Sequence, residues 1–220
     1  MRTFVVSILV GMAFLTIILS CRREETDKYP NGNLKSVQQF RGKKLHGVST
    51  WYYDNGMKQL EATYWEGLLN GRSSRWNLAG KRESVENYHA GRKNGPAVYW
   101  NADGLKKEER TYKNDSLNGP YRLYHDNGIL KIEGSYDMEF FDSTWVYYNA
   151  YGFIVGNAVF KKGSGKQRAF HPNGKLWREV PYLRNKRNGT EKEYDQSGKL
   201  VKETTYENDA VTKVVRDPLH

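Results

Sequence analysis

The sequence predicts an all-β fold, an elongated single-layer antiparallel β-sheet meander of about eight stacked 24-residue β-hairpin repeats. The first of three observations is a glycine that recurs every 24 residues, with one step of 22, at Gly32, Gly56, Gly80, Gly104, Gly128, Gly152, Gly174 and Gly198. The second is an aromatic residue eight positions later, at Phe40, Tyr64, Tyr88, Tyr112, Tyr136, Phe160, Tyr182 and Tyr206. The third is a second glycine series, with Ser143 replacing one member, at Gly47, Gly71, Gly95, Gly119, Ser143, Gly165 and Gly189. Five positions after its members stand the aromatic residues Tyr52, Trp76, Trp100, Tyr124, Tyr148, Phe170 and Tyr194. We number the copies one to eight, and the positions within a copy, from the first glycine series.

The composition favours thin sheets over helical layers. Hydrophobic residues make up 38% of the 220-residue chain, while glycine and tyrosine occur 21 and 16 times. Aromatic residues suit strands and glycine suits tight turns. A sustained 3.6-residue pattern, which would predict helices, is missing from the sequence.

The first 20 residues are predicted to be a lipoprotein signal peptide. Arg2 precedes an apolar run over residues 4–19, and Cys21, the only cysteine of the chain, follows it closely. The run is shorter than the roughly 20 residues that a membrane-spanning helix needs. Residues 18–21 resemble a bacterial lipobox, although Leu19 departs from its commonest form, so we expect cleavage before Cys21 and lipidation of its thiol. The alternatives are an uncleaved signal anchor and an ordinary signal with a chance cysteine.

The rest of the chain divides into two predicted parts. Residues 22–28 are charged and lack an apolar side chain, so we expect a flexible tether over residues 21–28 and the repeat domain over residues 29–220. A lipid on Cys21 would hold the protein on a membrane. We therefore expect it in the bacterial cell envelope, lipid-anchored in the outer membrane, facing either the periplasm or the surface. Glu24 and Glu25 resemble an acidic export signal of surface lipoproteins, but a solvated linker explains them equally well.

Each repeat is predicted to consist of two antiparallel strands. Residues 129–137 alternate in polarity with a period of two, as a half-buried strand does, and the next strand begins at the second glycine. Asn-Gly pairs such as Asn31-Gly32 join successive copies. Because Asn-Gly is typical of the tightest hairpin turns, we expect both residues of each pair to have positive φ.

The alternation also predicts which side chains face solvent. Position five is glutamate in five copies, at Glu61, Glu109, Glu133, Glu179 and Glu203, so this face should be solvated. The aromatic at position eight should face the other side. We expect the apolar residues of position two to join it there, at Leu34, Leu130, Ile154, Leu176 and Leu200.

The rhythm of Asn-Gly, aromatic and Gly-x4-aromatic resembles the MORN-repeat variant family, which includes bacterial YwqK-type antitoxin-like proteins. The resemblance covers residues 29–208 and implies an elongated sheet that serves as a scaffold or binding surface, without catalytic residues. Copy five departs from it at Asp142-Ser143, copy six is two residues short, and copy eight lacks the second glycine. An immunity or antitoxin-like role is a minor alternative for an exported chain.

Signatures of catalysis are not recognisable in the sequence, and we expect no catalytic residues, no metal site and no cofactor, and hence no enzyme. There is no cysteine pair for a metal, no nucleophile elbow and no phosphate-binding loop. His125 and His171 occupy the same place in their copies, so the repeat explains them without a ligand role. The recurring glutamates are more simply a solvated strand face than an acid and base pair.

Pairs of basic residues recur in the loop between the two strands of a copy, at Lys43-Lys44, Arg92-Lys93, Lys161-Lys162 and Lys186-Arg187. Since these loops lie along one edge of the sheet, they should form a basic rim. The rim could contact anionic lipid headgroups, phosphates or an acidic partner. It could equally serve solubility and protect the edge. We expect no nucleic acid partner, because the predicted signal directs the chain out of the cytoplasm.

Two further groups are candidate binding residues. Phe140 and Phe141 lie in a loop that is polar in other copies, where they would contact a protein or tuck beneath the shortened copy six. Tryptophans outside the aromatic series are also candidates, at Trp51, Trp145 and Trp177. We expect Trp76 and Trp100, which belong to the series, to be used in packing.

The sequence thus predicts a membrane-anchored, non-catalytic repeat scaffold that binds a protein or another envelope component. The alternative is a glycan-binding or enzyme-accessory module of the envelope. Aromatic side chains on the solvated face would favour glycans, whereas a polar face with an apolar loop patch would favour a protein.

Overall fold

A computed structural model describes residues 22–216, which form one antiparallel sheet of 21 strands. Each strand pairs with the preceding and the following strand along the meander, and where a strand is interrupted both of its segments pair with the same neighbour. The described residues contain no helix. The predicted all-β single-layer meander is therefore confirmed. No helix long and apolar enough to cross a membrane occurs within this part of the chain. The predicted signal peptide and Cys21 lie outside the described residues.

Each copy contributes a first strand, which starts just after the first glycine, and a second strand that returns. The first strands are β2 (Leu34–Arg41), β5 (Lys58–Trp65), β7 (Arg82–His89), β10 (Lys106–Lys113), β13 (Leu130–Asp137), β15 (Ile154–Lys161), β17 (Leu176–Leu183) and β20 (Leu200–Glu207). The uninterrupted second strands are β6 (Leu68–Trp76), β14 (Phe140–Tyr148), β16 (Ser164–Phe170) and β21 (Ala210–Arg216). The interrupted second strands are β3 and β4 (Lys44–Leu45, Gly47–Tyr52), β8 and β9 (Arg92–Lys93, Gly95–Trp100), β11 and β12 (Ser116–Leu117, Gly119–Tyr124), and β18 and β19 (Lys186–Arg187, Gly189–Tyr194).

A further strand, β1 (Arg22–Lys28), pairs with β2 ahead of the first copy. The prediction of a flexible tether is therefore wrong for these residues. All seven side chains are exposed, so no apolar burial holds the strand. It satisfies the backbone groups along the free edge of β2 instead, and the Lys35 ammonium lies 3.0 Å from the Asp27 carboxylate across the pair.

The two edges of the sheet use different turns. At the Asn-Gly edge, where one copy joins the next, Gly56 has a φ of 83° but Asn55 has no positive φ. The Asn55 carboxamide accepts a hydrogen bond from the Met57 N–H instead. The prediction that both residues have positive φ is wrong here. At the opposite edge, which we call the hairpin edge, both residues of the turn have positive φ in copies two to eight, as in Asn208 (49°) and Asp209 (72°).

A β-bulge in the first strand of every copy changes which side chains share a face. In copy four Lys106 pairs with Trp100 but Glu108 pairs with Tyr99, so Lys107 is the extra residue. The bulge puts position two on the outer face, together with the glutamates of position five. The prediction that position two joins the position-eight aromatics is therefore wrong, and Ile154 is 61% exposed.

The core lies on the inner face, where the position-eight aromatics are found as predicted. Its largest cluster spans copies four to seven around Trp145 and Phe160, with Tyr136 and Phe141 packed against them. The indole of Trp145 covers Gly134, where a Cβ atom would stand 2.2 Å from the ring. Gly134, Trp145 and Ala158 lie side by side on neighbouring strands, in a row that crosses the sheet. In copies one and two the equivalent row consists of small residues, Ser49, Ala62 and Ser73.

Hydrogen bonds between equivalent turns connect the copies at both edges. At the Asn-Gly edge the Tyr53 hydroxyl donates to the Trp76 carbonyl, and His125 and His171 bond the carbonyls of the next copy in the same way. At the hairpin edge the Asp209 N–H donates to the Arg187 carbonyl. Asn185 bridges copies five and seven past the shortened copy six, because its carboxamide bonds both the Phe141 N–H and the Glu139 carbonyl.

Candidate interaction surfaces

The four predicted basic pairs all lie at the hairpin edge, but their side chains do not form one continuous rim. Lys93 turns to the inner face, where its ammonium lies 2.5 Å from the Glu86 carboxylate. Arg187 lies 3.4 Å from the Asp209 carboxylate and stacks on the ring of Tyr206 at 4.3 Å. These two charges are neutralised within the fold. Two of the eight predicted rim side chains, Lys93 and Arg187, are thus paired within the fold.

Glu86 is the centre of the polar network that holds Lys93. Its carboxylate is buried and accepts hydrogen bonds from Lys93, Tyr88 and Tyr99. Burial opposes its ionisation, but the hydrogen bonds outweigh burial and hold the pKa of Glu86 below its ordinary value. Burial and the Glu86 charge together raise the pKa of Tyr88 to about 12. The network is thus a satisfied structural element of copies three and four.

The remaining basic side chains at the hairpin edge fall into two exposed clusters. One lies beside β1 and the other at the turns of copies six and seven. The first comprises Arg22, Arg41, Lys43 and Lys44, and the second comprises Lys161, Lys162, Arg184 and Lys186. Exposed acidic residues of copies four and five separate them, at Asp115, Asp137 and Glu139. The rim is therefore divided, and Arg92 and Lys113 stand apart from both clusters.

The basic cluster beside β1 also contains large apolar side chains. Trp65 is 55% exposed and Leu68 is 53% exposed, on either side of the copy-two turn. The Trp65 indole rests on the buried His46 ring with centroids 4.3 Å apart. The Glu66 carboxylate of the same turn lies 3.8 Å from Arg41 and 3.6 Å from Lys44, so it offsets part of the positive charge of this cluster.

Sequence reasoning missed Trp65, although it follows the position-eight tyrosine where most copies have a polar residue. That contrast was the available signal. We call this group the anchor corner, and it comprises Arg22, Arg41, Lys43, Lys44, Trp65 and Leu68.

Two of the candidate binding residues in copy five belong to the core instead. Trp145 is only 3% exposed, and its indole N–H donates to the Asp142 carbonyl. Phe141 packs 5.0 Å from Trp145 and 5.3 Å from Phe160, measured between ring centroids. Assigning Trp145 to a binding surface was wrong, because Gly134 leaves room for its ring. Phe141 follows the alternative prediction and packs beneath the shortened copy six. Phe140 remains partly exposed, at 37%.

The other tryptophans also differ from the prediction. Trp51 is half-buried on the inner face, whereas Trp177 is 42% exposed and carries the Arg178 guanidinium 5.3 Å above its ring. Trp76 and Trp100, which we expected in the core, lie on the outer face because their strand positions alternate with the inner-facing ones. The two rings are half-exposed, with Arg82 5.7 to 6.0 Å from both of them.

The two most exposed large apolar side chains of residues 22–216 lie with Ile154 at the Asn-Gly edge of copy six. Tyr151 is 83% exposed, Phe153 69% and Ile154 61%, and a shallow depression beside them is lined by Phe170 and Pro172. We call these five residues the apolar turn patch. The sequence signal, which we missed, is that Tyr151 stands where four other copies have asparagine. Within residues 22–216, no group of three His, Cys, Asp or Glu side chains could hold a metal ion.

Comparison with protein families supports the repeat assignment. Four segments match the MORN repeat variant, at residues 45–66, 117–138, 164–183 and 187–208. Each begins in a second strand, passes through an Asn-Gly-edge turn and ends after the following first strand. A comparison with curated proteins finds no match. The chain thus contains four segments similar to the MORN repeat variant, within a longer series of hairpins of the same architecture.

Proposed function

We propose that this protein is a membrane-anchored, non-catalytic scaffold of the bacterial cell envelope, held by a lipid on Cys21, which binds a protein or another envelope component. The observation that carries the proposal is the direction of β1. Arg22 pairs with Arg41 at the hairpin edge, and Lys28 pairs with Leu34 near the Asn-Gly edge. The described sheet therefore begins, at Arg22, beside the anchor corner.

The chemistry of the anchor corner suits a lipid headgroup region. Tryptophan is favoured at membrane interfaces, and each lysine or arginine near an anionic surface contributes about 1 kcal/mol. One acyl chain alone binds marginally, so a basic and aromatic surface beside the lipid would strengthen and orient the attachment. The Asn-Gly edge would then lie about one strand length, roughly 25 Å, further from the bilayer.

A scaffold role agrees with the pairing of an outer and an inner carboxylate, Glu179 and Glu86, with neighbouring side chains of the sheet. Glu179 is paired with Lys166 at 2.7 Å and with Arg168 at 2.9 Å, and these partners lower the pKa of its carboxyl. Glu86 is likewise held by its own network. Because these carboxylates serve the sheet, the proposal assigns them no catalytic task. It also includes neither a cofactor nor a nucleic acid partner.

Replacing Cys21 with serine tests the anchoring. We expect the wild-type protein in the membrane fraction with an acylated N-terminal cysteine detectable by mass spectrometry. The Cys21→Ser chain should lose the acyl groups and leave the membrane on a high-salt wash. An unacylated wild-type protein, or a Cys21→Ser chain that stays membrane-bound after the wash, would reject the lipid anchor.

The outer face supports glycan binding as a second candidate function. Trp76 and Trp100 expose parts of their rings beside the Arg82 guanidinium, which could stack on an acidic sugar. Titration with acidic envelope polysaccharide, followed by tryptophan fluorescence, tests this. Binding that is lost in Trp76→Ala and Trp100→Ala but kept in Val159→Ser would support it. An unchanged fluorescence signal in the wild-type protein would exclude it.

A further inference from the structure

The apolar turn patch of copy six is not required by the repeat architecture. In copies five and seven the equivalent asparagines donate to the next turn, from Asn127 to the Ala150 carbonyl and from Asn173 to the Gln196 carbonyl, at 2.9 and 3.0 Å. Tyr151 has no carboxamide at this place, and its side chain is 83% exposed. Contiguous exposed apolar residues of this kind are characteristic of interaction sites.

Apolar side chains on the outer face extend the patch beyond the turn. Position two of copies two to four is basic, whereas in copies five to eight it is leucine or isoleucine. Ile154 therefore pairs with the aromatic Tyr148, and Leu176 pairs with Phe170. Trp177 lies one copy further along, about 10 Å away by the spacing of strands. The apolar surface is thus larger than the single turn.

Two lysines flank the patch, and one exposed acid, Asp126, lies at the neighbouring turn of copy five. Lys175 follows the glycine that borders the depression, and its ammonium donates to the Ser197 carbonyl at 2.8 Å. Lys131 is exposed at the bulge of copy five. The nearby acid Glu179 is already paired with Lys166 and Arg168. The electrostatic complement of this surface is therefore a group with negative charge at its ends.

We propose that the apolar turn patch is the docking site for an extended segment of a partner protein, with aliphatic or aromatic side chains flanked by aspartate or glutamate. This inference rests on the proposed scaffold function and names its partner surface. A lipid surface is disfavoured because the patch lies at the edge opposite the anchor corner. Self-pairing of the patch is disfavoured because it would bring the same lysines together.

The test uses the chain from residue 21 with Cys21→Ser, which keeps the whole described sheet, and a display library of random twelve-residue peptides as the probe. We expect selected peptides to carry an apolar centre with acidic flanks. In fluorescence anisotropy, Phe153→Ser with Ile154→Ser should weaken such a peptide at least about tenfold, which corresponds to about 1.4 kcal/mol. The control is Val159→Ser, since Val159 is 66% exposed on the same strand but outside the patch.

Several outcomes would overturn the proposal. These are selection of basic peptides, equal binding by the patch variant, self-association in sedimentation experiments that the patch variant loses, and patch-dependent binding to neutral lipid vesicles. The experiment does not depend on acylation. A negative result here with a membrane-bound wild-type protein would reject the docking site alone, whereas release of the wild-type protein from membranes would reject the anchor alone.

Discussion

Copies three and four and copies five and six share one backbone design but fill the inner face in different ways. In the former the row across the sheet contains the buried Glu86 beside Ala97. In the latter it contains Trp145 between Gly134 and Ala158. In both regions a large side chain, Glu86 or Trp145, is accommodated by a small residue on the neighbouring strand. The difference teaches that turns and edge hydrogen bonds define the repeat, while the core accepts either a polar network or an aromatic cluster.

The largest expected effect comes from removing the centre of the aromatic region. Trp145→Ala should lower the free energy of unfolding by about 3 to 5 kcal/mol, the usual cost of truncating a buried tryptophan. Because stability in repeat arrays depends mainly on neighbouring units, the loss should concentrate in copies five and six. Urea denaturation with hydrogen exchange measures both. The matched control, Trp76→Ala on the outer face, should cost much less, and an equal loss in all copies would contradict the comparison.

Gly134→Ala tests the fit of the same region. A methyl group there would stand 2.2 Å from the Trp145 ring, so we expect a loss of about 1 to 3 kcal/mol. In the Trp145→Ala background the clash disappears, and alanine in a strand should then be neutral or better than glycine. A double-mutant cycle by urea denaturation measures this coupling. Additive losses would show that the ring does not depend on Gly134.

The polar region should respond to pH rather than to side-chain volume. Glu86→Gln should cost about 1.5 to 3 kcal/mol at pH 7, since hydrogen bonds to a buried charge are lost. The folded-state pKa of Glu86 is below its ordinary value of 4.5, so its contribution is complete above pH 4.5 and is lost as pH falls through the folded pKa. Unfolding curves of wild type and variant should therefore converge in acid. Glu61→Gln, at an exposed pair with Lys58, is the control, and a difference that persists at low pH would contradict the assignment.

The two basic clusters of the hairpin edge extend the comparison to the surface. Lys43→Glu with Lys44→Glu, in the Cys21→Ser chain, should weaken binding to phosphatidylglycerol vesicles about tenfold or more at low salt. Lys161→Glu with Lys162→Glu should weaken it less, because that cluster lacks the exposed Trp65 and Leu68. Vesicle sedimentation at two salt concentrations measures both. Equal effects would assign the whole edge to the membrane, and salt-insensitive binding would exclude an electrostatic contact.

The sequence predicted what recurs and failed where the outcome depends on another strand. The glycine and aromatic periods predicted the meander and the inner aromatic face because they repeat in register. Strand β1 was missed because its order depends on the free edge of β2, which local polarity does not reveal. The bulge near Lys107 inverted the expected facing of position two. Trp145 was misplaced because its burial depends on Gly134, eleven residues earlier on the neighbouring strand.

The smallest expected effect concerns a turn and tests whether both regions depend on the same edge framework. Asp195 occupies the place of Asn77 and Asn101, and its carboxylate accepts hydrogen bonds from Ser197, Gly198 and Lys199. The Ser197 hydroxyl and these N–H groups lower the pKa of Asp195 to about 2. Since the folded pKa is lowered, its stabilisation is complete above the ordinary value of 3.8 and is lost as pH falls towards 2.

Asp195→Asn separates the shape of this turn from its charge. The carboxamide can accept the same hydrogen bonds, as Asn77 does from Lys81, so the turn should persist and stability at pH 7 should change little. The acid-dependent part between about pH 4 and 2 should disappear, which NMR titration and unfolding at several pH values would measure. Asp195→Ala should instead lose the turn at every pH. If the asparagine variant behaves like alanine, the charge and not the shared hydrogen-bond pattern stabilises the edge of copy eight.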